Sequence, residues 1–318
     1  MRRRPALRKR RVKLRHARRV PRADAIESSP EGQVFLNGRF AAVSRAKIPV
    51  FDRGFLYGDG LFESVRVHRG RPFLFERHLR RLREGARWLR LDLPFTDGEL
   101  RRVAAELLRR NHAPESVLRL QVSRGTGSRG YSIEGANSPT TVMSVHPVKS
   151  TRGIRLREWR LITSSHRVQA GTATLIKSSN KLLQVLARVE AGKQNADEAL
   201  LLNASGAIAE AASANVFWIE GGAVITPPVS AGALRGITRE FVLELCGELG
   251  LGTREETGPA DRLLEADGSF LTLSSLGIVE AAALDGAKLR RSPIVRRIWT
   301  AYRAALDRAS RGAADRPD

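Results

Sequence analysis

Apolar residues recur along this chain with two spacings, one of three to four residues and one of two. The first spacing predicts amphipathic helices over residues 75–91, 97–111, 182–191, 239–249 and 294–306, and Asn180 is expected to cap the third of them. Short alternating or wholly apolar runs predict strands over residues 61–67, 117–122, 141–145, 198–203, 216–219, 223–226 and 270–273. Residues 34–43 predict a hairpin about Asn37-Gly38. Strands and helices are therefore expected in both halves of the chain.

Polar stretches divide the chain into five parts. Residues 1–32 are a basic tail followed by a polar connector, and residues 307–318 are a polar end; both are expected to be disordered. A short polar segment at 149–153 is the expected linker. It separates an amino-terminal domain, 33–148, from a carboxyl-terminal domain, 154–306.

The formal net charge of +22 is concentrated at the start of the chain. From Arg2 to Arg22 there are twelve lysines and arginines and no acidic residue, which is more than half of the excess. Such a segment could bind nucleic acid non-specifically, but it is also typical of a disordered extension or of sequence upstream of the true start. The other arginines are spread along helices, where a solvated face is expected, and no zinc-finger spacing or RNP-type motif is present.

The rest of the composition is that of a globular protein, with 42% hydrophobic and 28% charged residues. No run approaches the ~20 apolar residues of a membrane span, and the first 22 residues lack the apolar centre of a signal peptide. The single cysteine, Cys246, cannot form an internal disulfide, which favours a reducing, cytoplasmic location. His112, His146 and His166 lack metal-ligand spacing, so no metal site is predicted.

The candidate chemistry centres on Lys177, which lies in a polar break between an apolar run and a strongly periodic helix. Downstream follow Glu210, a glycine-rich turn before Ile237 and Thr238, and a hydroxyl-rich turn at Ser274. An amine, a carboxylate and two such turns can hold pyridoxal 5'-phosphate: the amine bonds to its aldehyde, the carboxylate keeps its pyridine nitrogen protonated, and helix N–H groups bind its phosphate. Spacing alone does not establish this site, because a lone lysine in a polar loop is usually solvent-exposed.

The segment from Val34 to about Tyr302 resembles the class IV aminotransferases, the fold-type IV pyridoxal-phosphate family, whose motifs occur here in the same order. They read FDRGFLYGDGLFESVR at 51–66, HLRRL at 78–82, LIKSSNKLL at 175–183, IAEAASANVFW at 208–218 and GALRGITRE at 232–240. The resemblance implies an α+β, two-domain fold of the D-amino acid aminotransferase type. The smaller amino-terminal α/β domain would be followed by a larger carboxyl-terminal domain with a mixed sheet or barrel.

The resemblance also implies residue roles at the cofactor. Lys177 would carry the cofactor and act as the base, and Glu210 would hold the pyridine nitrogen. The arginine of the family's His-x-x-Arg-Leu motif corresponds to Arg81, which would bind the phosphate. The other implied phosphate ligands are the N–H groups of Ile237 and Thr238, and Ser274.

On the substrate side, the family signature implies that Tyr57 and Phe62 line the pocket, although both could be ordinary core aromatics. The loop RGTGSRGY at 124–131 is similar to that of the 4-amino-4-deoxychorismate lyases, where it faces a substrate with two carboxylates. Arg129 and Tyr131 are therefore expected to contact substrate. The family implies a homodimer that acts on a small-molecule amino substrate.

The residues that bind the cofactor do not distinguish the two reactions of this family, a lyase reaction and aminotransfer. The loop at Arg129 and the pair Asn180-Lys181 favour a lyase that releases pyruvate and 4-aminobenzoate for folate synthesis. Leu273 replaces an asparagine found in many lyases, and Glu280-Ala281 replaces the usual Pro-Val, so an aminotransferase for branched-chain or D-amino acids stays open. The remote alternative is a protein that binds nucleic acid through its basic tail and whose enzyme fold no longer catalyses a reaction.

Overall fold

The computed structural model describes residues 32–148, 155–169, 171 and 176–311. The basic tail, the expected linker at 149–153 and the chain from residue 312 onward lie outside this part, so the predictions made for them stay predictions. Within the described residues, no helix has the length and apolar character that a membrane crossing requires.

The described part of the amino-terminal half forms one antiparallel sheet and three helices. Its elements are β1 (Gln33–Leu36), β2 (Arg39–Ala42), α1 (Arg53–Tyr57), β3 (Gly60–His68), β4 (Arg71–Pro72), α2 (Phe75–Leu89), α3 (Asp97–Arg110), β5 (Ser116–Ser123) and β6 (Thr140–Pro147). The strand order is β2-β1-β6-β5-β3-β4. The predicted hairpin is confirmed, and Asn37 and Gly38 both have the positive φ that a tight two-residue turn requires.

Helices α2 and α3 cover one face of this sheet. Leu79 and Leu82 of α2 and Leu107 of α3 pack against Leu118 and Leu120 of β5, and all five are buried. The three- to four-residue spacing of the apolar positions aligns them on the helix faces that meet the sheet. This core fixes β3, the strand that reaches the candidate site.

The described part of the carboxyl-terminal half forms a nine-stranded mixed sheet with four helices. Its elements are β7 (Arg157–Val168), α4 (Leu182–Lys193), β8 (Glu198–Asn203), β9 (Ile208–Ala211), β10 (Asn215–Glu220), β11 (Ala223–Thr226), α5 (Ile237–Glu248), β12 (Thr253–Glu255), α6 (Arg262–Glu265), β13 (Gly268–Leu273), β14 (Gly277–Leu284), β15 (Ala287–Lys288) and α7 (Pro293–Arg311). The order is β12-β11-β10-β13-β14-β7-β8-β9, with β15 beside β14. The pairs β11–β12, β14–β7 and β7–β8 are parallel and the others antiparallel, which confirms the expected mixed sheet.

The core of this half lies between the sheet and helices α5 and α7. Phe217 of β10 and Phe270 of β13 are fully buried and stack with ring centroids 4.8 Å apart. Val242 of α5 and Ile298 of α7 belong to the same buried cluster. The sheet is therefore a rigid support for the loops that leave its strands.

Two expectations about helix ends are wrong. Helix α7 runs to Arg311, past the predicted end at residue 306, because Asp307 pairs with buried His68 of β3 at 2.8 Å and so holds the last turn. Asn180 does not cap α4: Lys181 is the N-cap residue and makes no side-chain capping bond. The Asn180 side chain instead lies against Gly58, where a Cβ would overlap its Oδ1 atom.

Candidate active site

Lys177 lies where the two sheets meet. Its carbonyl accepts a hydrogen bond of 3.0 Å from Phe62 N–H, and Ser179 N–H donates to Gly60 O at 2.9 Å. The segment just before helix α4, in the carboxyl-terminal half, is thus hydrogen-bonded to the start of β3 in the amino-terminal sheet. This pairing holds the lysine backbone independently of its side chain.

The Lys177 amine has an environment that disfavours its charge. Burial lowers the pKa of Lys177 to about 7, and the positive charges of Arg81 and Lys181 act in the same direction. Glu63 and Glu210 oppose this shift only partly. Near neutral pH a large fraction of Lys177 is therefore the neutral amine, which is the nucleophilic and basic form.

Glu210 has the complementary shift. Burial raises the pKa of Glu210 to about 7, against the opposing effects of the Leu234 N–H donor and of Lys181 and Lys177. Its Oε2 atom accepts from Leu234 N–H at 2.9 Å. Among the described residues, no cation lies within ion-pair distance of this carboxylate. A protonated pyridine nitrogen would supply the missing charge, so Glu210 fits the predicted cofactor.

The amino end of α5 fits the phosphate. Its N-cap residue is Gly236, and no side chain caps the helix, so the N–H groups of buried Ile237 and Thr238 are not satisfied by a capping side chain. Thr238 Oγ1 and Ser274 Oγ lie 3.5 Å apart. The structure thus brings Ile237, Thr238 and Ser274 together, and their phosphate role stays a prediction.

Arg81 is held beside this helix end by a buried carboxylate. Its Nε and Nη2 atoms donate to Glu63 at 2.8 and 2.6 Å, and Nη1 donates to Arg235 O at 2.8 Å. Although burial alone would raise the pKa of Glu63, Arg81 and His78 lower it to about 2. Three of the five guanidinium donors are used, which leaves two that could reach a phosphate.

One short loop connects both ends of the cofactor site. The Leu234 peptide donates its N–H to Glu210 and accepts from Asn215 Nδ2 at 2.8 Å. Two residues later, a Cβ at Gly236 would overlap Asn215 Oδ1, so only glycine fits there. Asn215 therefore fixes the path of the chain between the carboxylate and the phosphate N–H groups. Asn215 belongs to the IAEAASANVFW motif, but the sequence predicts no role for it, because the role depends on these contacts in space.

Two cations that the sequence analysis did not place in the site lie beside the Phe62 ring. The Arg119 guanidinium lies 4.0 Å from the centroid of the Phe62 ring, the Lys177 amine 4.7 Å and the Lys181 amine 6.0 Å. Burial lowers the pKa of Arg119 and of Lys181. Phe62 thus lies beside the Lys177 amine, and its predicted contact with substrate stays a prediction. No sequence motif includes Arg119, because only the pairing of β3 with β5 brings its side chain next to Phe62.

Tyr57, Arg129 and Tyr131 form a separate group. The Tyr57 and Tyr131 rings meet edge to face at 5.7 Å, and Tyr57 Oη accepts from Gly130 N–H at 3.0 Å. No described hydrogen bond or ring contact joins this group to Lys177, and Tyr131 is 88% exposed. The contacts of Tyr57 and Tyr131 are thus separate from those of Phe62, and the substrate role of all four predicted residues stays a prediction.

Among the described residues, no group of three or more histidine, cysteine or acidic side chains could hold a metal ion.

Comparison with known proteins shows the family. The model of the family described as amino-transferase class IV matches residues 60–284. The chain is 34% identical over 266 residues to a "Putative branched-chain-amino-acid aminotransferase" of Methanocaldococcus jannaschii, covering 82% of this chain and 91% of that protein. It is 30% identical over 248 residues to the aminodeoxychorismate lyase of Bacillus subtilis, covering 77% and 84%.

A solved structure agrees with these relatives. The T.th. branched-chain amino acid aminotransferase with pyridoxamine 5'-phosphate matches with a TM-score of 0.83 at 26% identity, covering 90% of this chain and 98% of that one. The match confirms the predicted two-domain α+β fold. With its motifs, its fold and its relatives in agreement, the chain belongs to the class IV aminotransferases, a family of pyridoxal-phosphate-dependent enzymes.

Proposed function

We propose that this enzyme is an aminodeoxychorismate lyase, which converts 4-amino-4-deoxychorismate into 4-aminobenzoate and pyruvate. The observation that carries the proposal is the pair of cations beside Lys177. Among the described residues, neither Arg119 nor Lys181 has a carboxylate within ion-pair distance, although both are partly buried and burial lowers the pKa of each. Unpaired cations in such a place attract an anionic ligand. The proposed substrate has two carboxylates.

The loop at 124–131 supports the same assignment. It matches the lyase pattern and carries a further cation, Arg129. A basic residue also follows Asn180, as it does in the lyase subgroup. The 30% identity to a lyase agrees with this proposal.

The chain's own groups account for the reaction. The bound pyridoxal phosphate acts as an electron sink for the carbon that carries the substrate nitrogen. The neutral Lys177 amine takes a proton from that carbon, and Glu210 holds the positive charge of the pyridine nitrogen. The bond between the ring carbon and the enolpyruvyl oxygen breaks, the departing enolate of pyruvate takes a proton from Lys177 on its methylene carbon, and the ring becomes aromatic. Arg119 and Lys181 hold the substrate carboxylates during these steps.

Aminotransfer to a keto acid is the second candidate function. It is favoured by the 34% identity to the archaeal relative, and Leu273 provides no amide for a polar substrate contact. A dicarboxylic amino donor would also satisfy Arg119 and Lys181. The two reactions differ in one requirement, because an aminotransferase needs a second, amino-accepting substrate and a lyase does not.

The test is to give the cofactor-loaded enzyme 4-amino-4-deoxychorismate without any keto acid. We expect repeated turnovers with the two products in equal amounts. The fluorescence of 4-aminobenzoate and a coupled assay for pyruvate monitor them. Protein without cofactor is the control. Absence of both products from enzyme that has bound cofactor, together with turnover of D- or L-amino acids once a keto acid is added, would establish the aminotransferase instead.

We also propose that the enzyme is a homodimer. Large apolar side chains are exposed on α4 and on the segment around α1, including Leu182 at 71% and Phe55 at 77%. Patches of this kind mark protein interfaces. A second copy could also bring the exposed Tyr131 of one chain near the Lys177 site of the other. Light scattering should give twice the chain mass of 35.1 kDa; a monomer at micromolar concentration would contradict the proposal.

A further inference from the structure

Arg53 is a buried arginine to which the family motifs assign no role. It is the first residue of α1 and is 3% exposed. Its Nε atom donates to Asp59 Oδ2 at 2.9 Å, and Arg124 donates to the same carboxylate. The pKa of Asp59 is low because these two arginines outweigh its burial. One edge of the Arg53 guanidinium is thus fixed by an ion pair.

The other edge of Arg53 faces the backbone of a loop more than seventy residues away. Its Nη1 atom donates to Gly130 O at 3.0 Å and lies 3.5 Å from Ser128 O, and Nη2 lies 3.5 Å from Tyr131 O. The Arg53 peptide N–H donates to Gly125 O at 2.8 Å. One residue therefore binds the carbonyls on both sides of Arg129.

Tyr57 completes this arrangement one turn along α1. The Arg53 guanidinium lies 5.0 Å from the centroid of the Tyr57 ring, a distance typical of a cation–π contact. The Tyr57 hydroxyl accepts from Gly130 N–H, so the Gly130 peptide is held at both its N–H and its carbonyl. Gly130 has a φ of 111°, which a residue with a Cβ rarely adopts.

Apart from the edge-to-face contact between the Tyr57 and Tyr131 rings, none of the buried hydrophobic clusters of the described residues includes this loop. Ser128, Arg129 and Tyr131 are exposed, and the loop lies outside the paired strands β5 and β6. Its conformation therefore depends on polar contacts with the Arg53 and Tyr57 side chains.

We propose that Arg53 is a positioning residue, which together with Tyr57 holds residues 128–131 in one conformation and thereby presents Arg129 and Tyr131 for substrate binding. The second half of this inference rests on the proposed function. A loop that is already ordered loses little conformational entropy when it binds substrate. Lysine cannot replace the guanidinium, because a single ammonium cannot reach Asp59 and the loop carbonyls in the same plane.

The test compares Arg53→Lys with Arg101→Lys in the cofactor-loaded enzyme. Arg101 is the matched control, since it makes an exposed two-bond ion pair with Glu76 and touches no part of the site. The first measurement is the rate at which trypsin cleaves the chain after Arg129 in the absence of substrate. Mass spectrometry detects the cleaved product. We expect a rise of about tenfold for Arg53→Lys and none for the control, because cleavage requires the loop to open.

The second measurement is the steady-state kinetics of the same proteins. We expect a KM for the amino substrate about tenfold higher and a kcat within about twofold, the pattern of lost binding rather than lost chemistry. Tyr57→Phe, which removes only the hydroxyl, should change cleavage and KM in the same direction by less. This second variant keeps the test valid if Arg53→Lys does not fold.

The outcomes separate the two parts of the inference. Cleavage after Arg129 that stays at the control rate in both variants would overturn the positioning role. Faster cleavage with an unchanged KM would support the positioning role and overturn the substrate role of Arg129 and Tyr131. Cleavage is measured without substrate, and KM is measured with whichever amino substrate the enzyme turns over, so failure of the lyase assignment cannot be mistaken for either result.

Discussion

Lys177→Ala should bind pyridoxal phosphate only non-covalently and should lose catalytic turnover by at least about 10⁴-fold, the upper range for removing a proton-transfer group. The variant lacks both the amine that bonds to the cofactor and the base that takes the substrate proton. Its fold should be intact, because the Lys177 backbone is bonded to Phe62 N–H whatever its side chain. The two measurements are the absorbance band of the covalently bound cofactor, which should be lost, and the melting curve of the cofactor-free protein, which should keep one cooperative transition.

The control for this variant is Lys193→Ala, which removes an exposed lysine from the end of α4. It should keep both the absorbance band and the activity. Lys181 is the only other described lysine beside the Phe62 ring, so it is the residue that could substitute. If Lys177→Ala keeps the band, Lys177 is not the attachment site, and the assignment of the family motif to this position is wrong.

Glu210→Gln should lower kcat by about 10²–10³-fold, the usual effect of removing one preorganised charge from an active site. Glutamine has the same shape and can still accept from Leu234 N–H, but it cannot balance a protonated pyridine nitrogen. The loss should therefore appear in the chemical step, with little change in cofactor content. Single-turnover kinetics and the cofactor-to-protein ratio measure the two effects separately.

The melting temperature of the same variant should depend on pH differently from that of wild type when no cofactor is bound. In the folded protein the pKa of Glu210 is raised from 4.5 to about 7 by burial. Its contribution to stability is therefore fully present below about pH 4.5 and is lost as the pH rises through about 7. Relative to wild type, cofactor-free Glu210→Gln should gain melting temperature between these pH values and keep the gain above them. An equal difference at pH 4 and pH 8 would contradict the raised pKa.

Local sequence was enough to predict most regular elements and to single out the motif residues of the candidate site. The hairpin about Asn37-Gly38, the helices α2, α3 and α5, and buried strands such as β8 have periodicity or turn residues within a few positions. Lys177, Glu210 and Ile237 are read from short contiguous motifs in the family's order. These features depend on neighbours in the chain, so a single sequence contains the information.

Short or atypical elements were missed for the opposite reason. Strand β9, which carries Glu210, has four residues, and β12 has three, too few for a period to be seen. The alanine-rich β14 has weak strand propensity and forms because it pairs with both β13 and β7.

Only the tertiary structure decided which side chains surround the site and in what state. Glu63 holds Arg81 across two elements, Arg119 reaches Phe62 through strand pairing, and Arg53 binds a loop far along the chain. The neutral amine of Lys177 likewise results from burial and from charges that lie distant in sequence. The sequence by itself determined the family, the cofactor chemistry and the main helices and strands. The folded chain decided the pKa values, the cations beside Phe62 and the contacts that hold residues 128–131, because desolvation and Coulomb interactions depend on distances in space, which local sequence patterns do not specify.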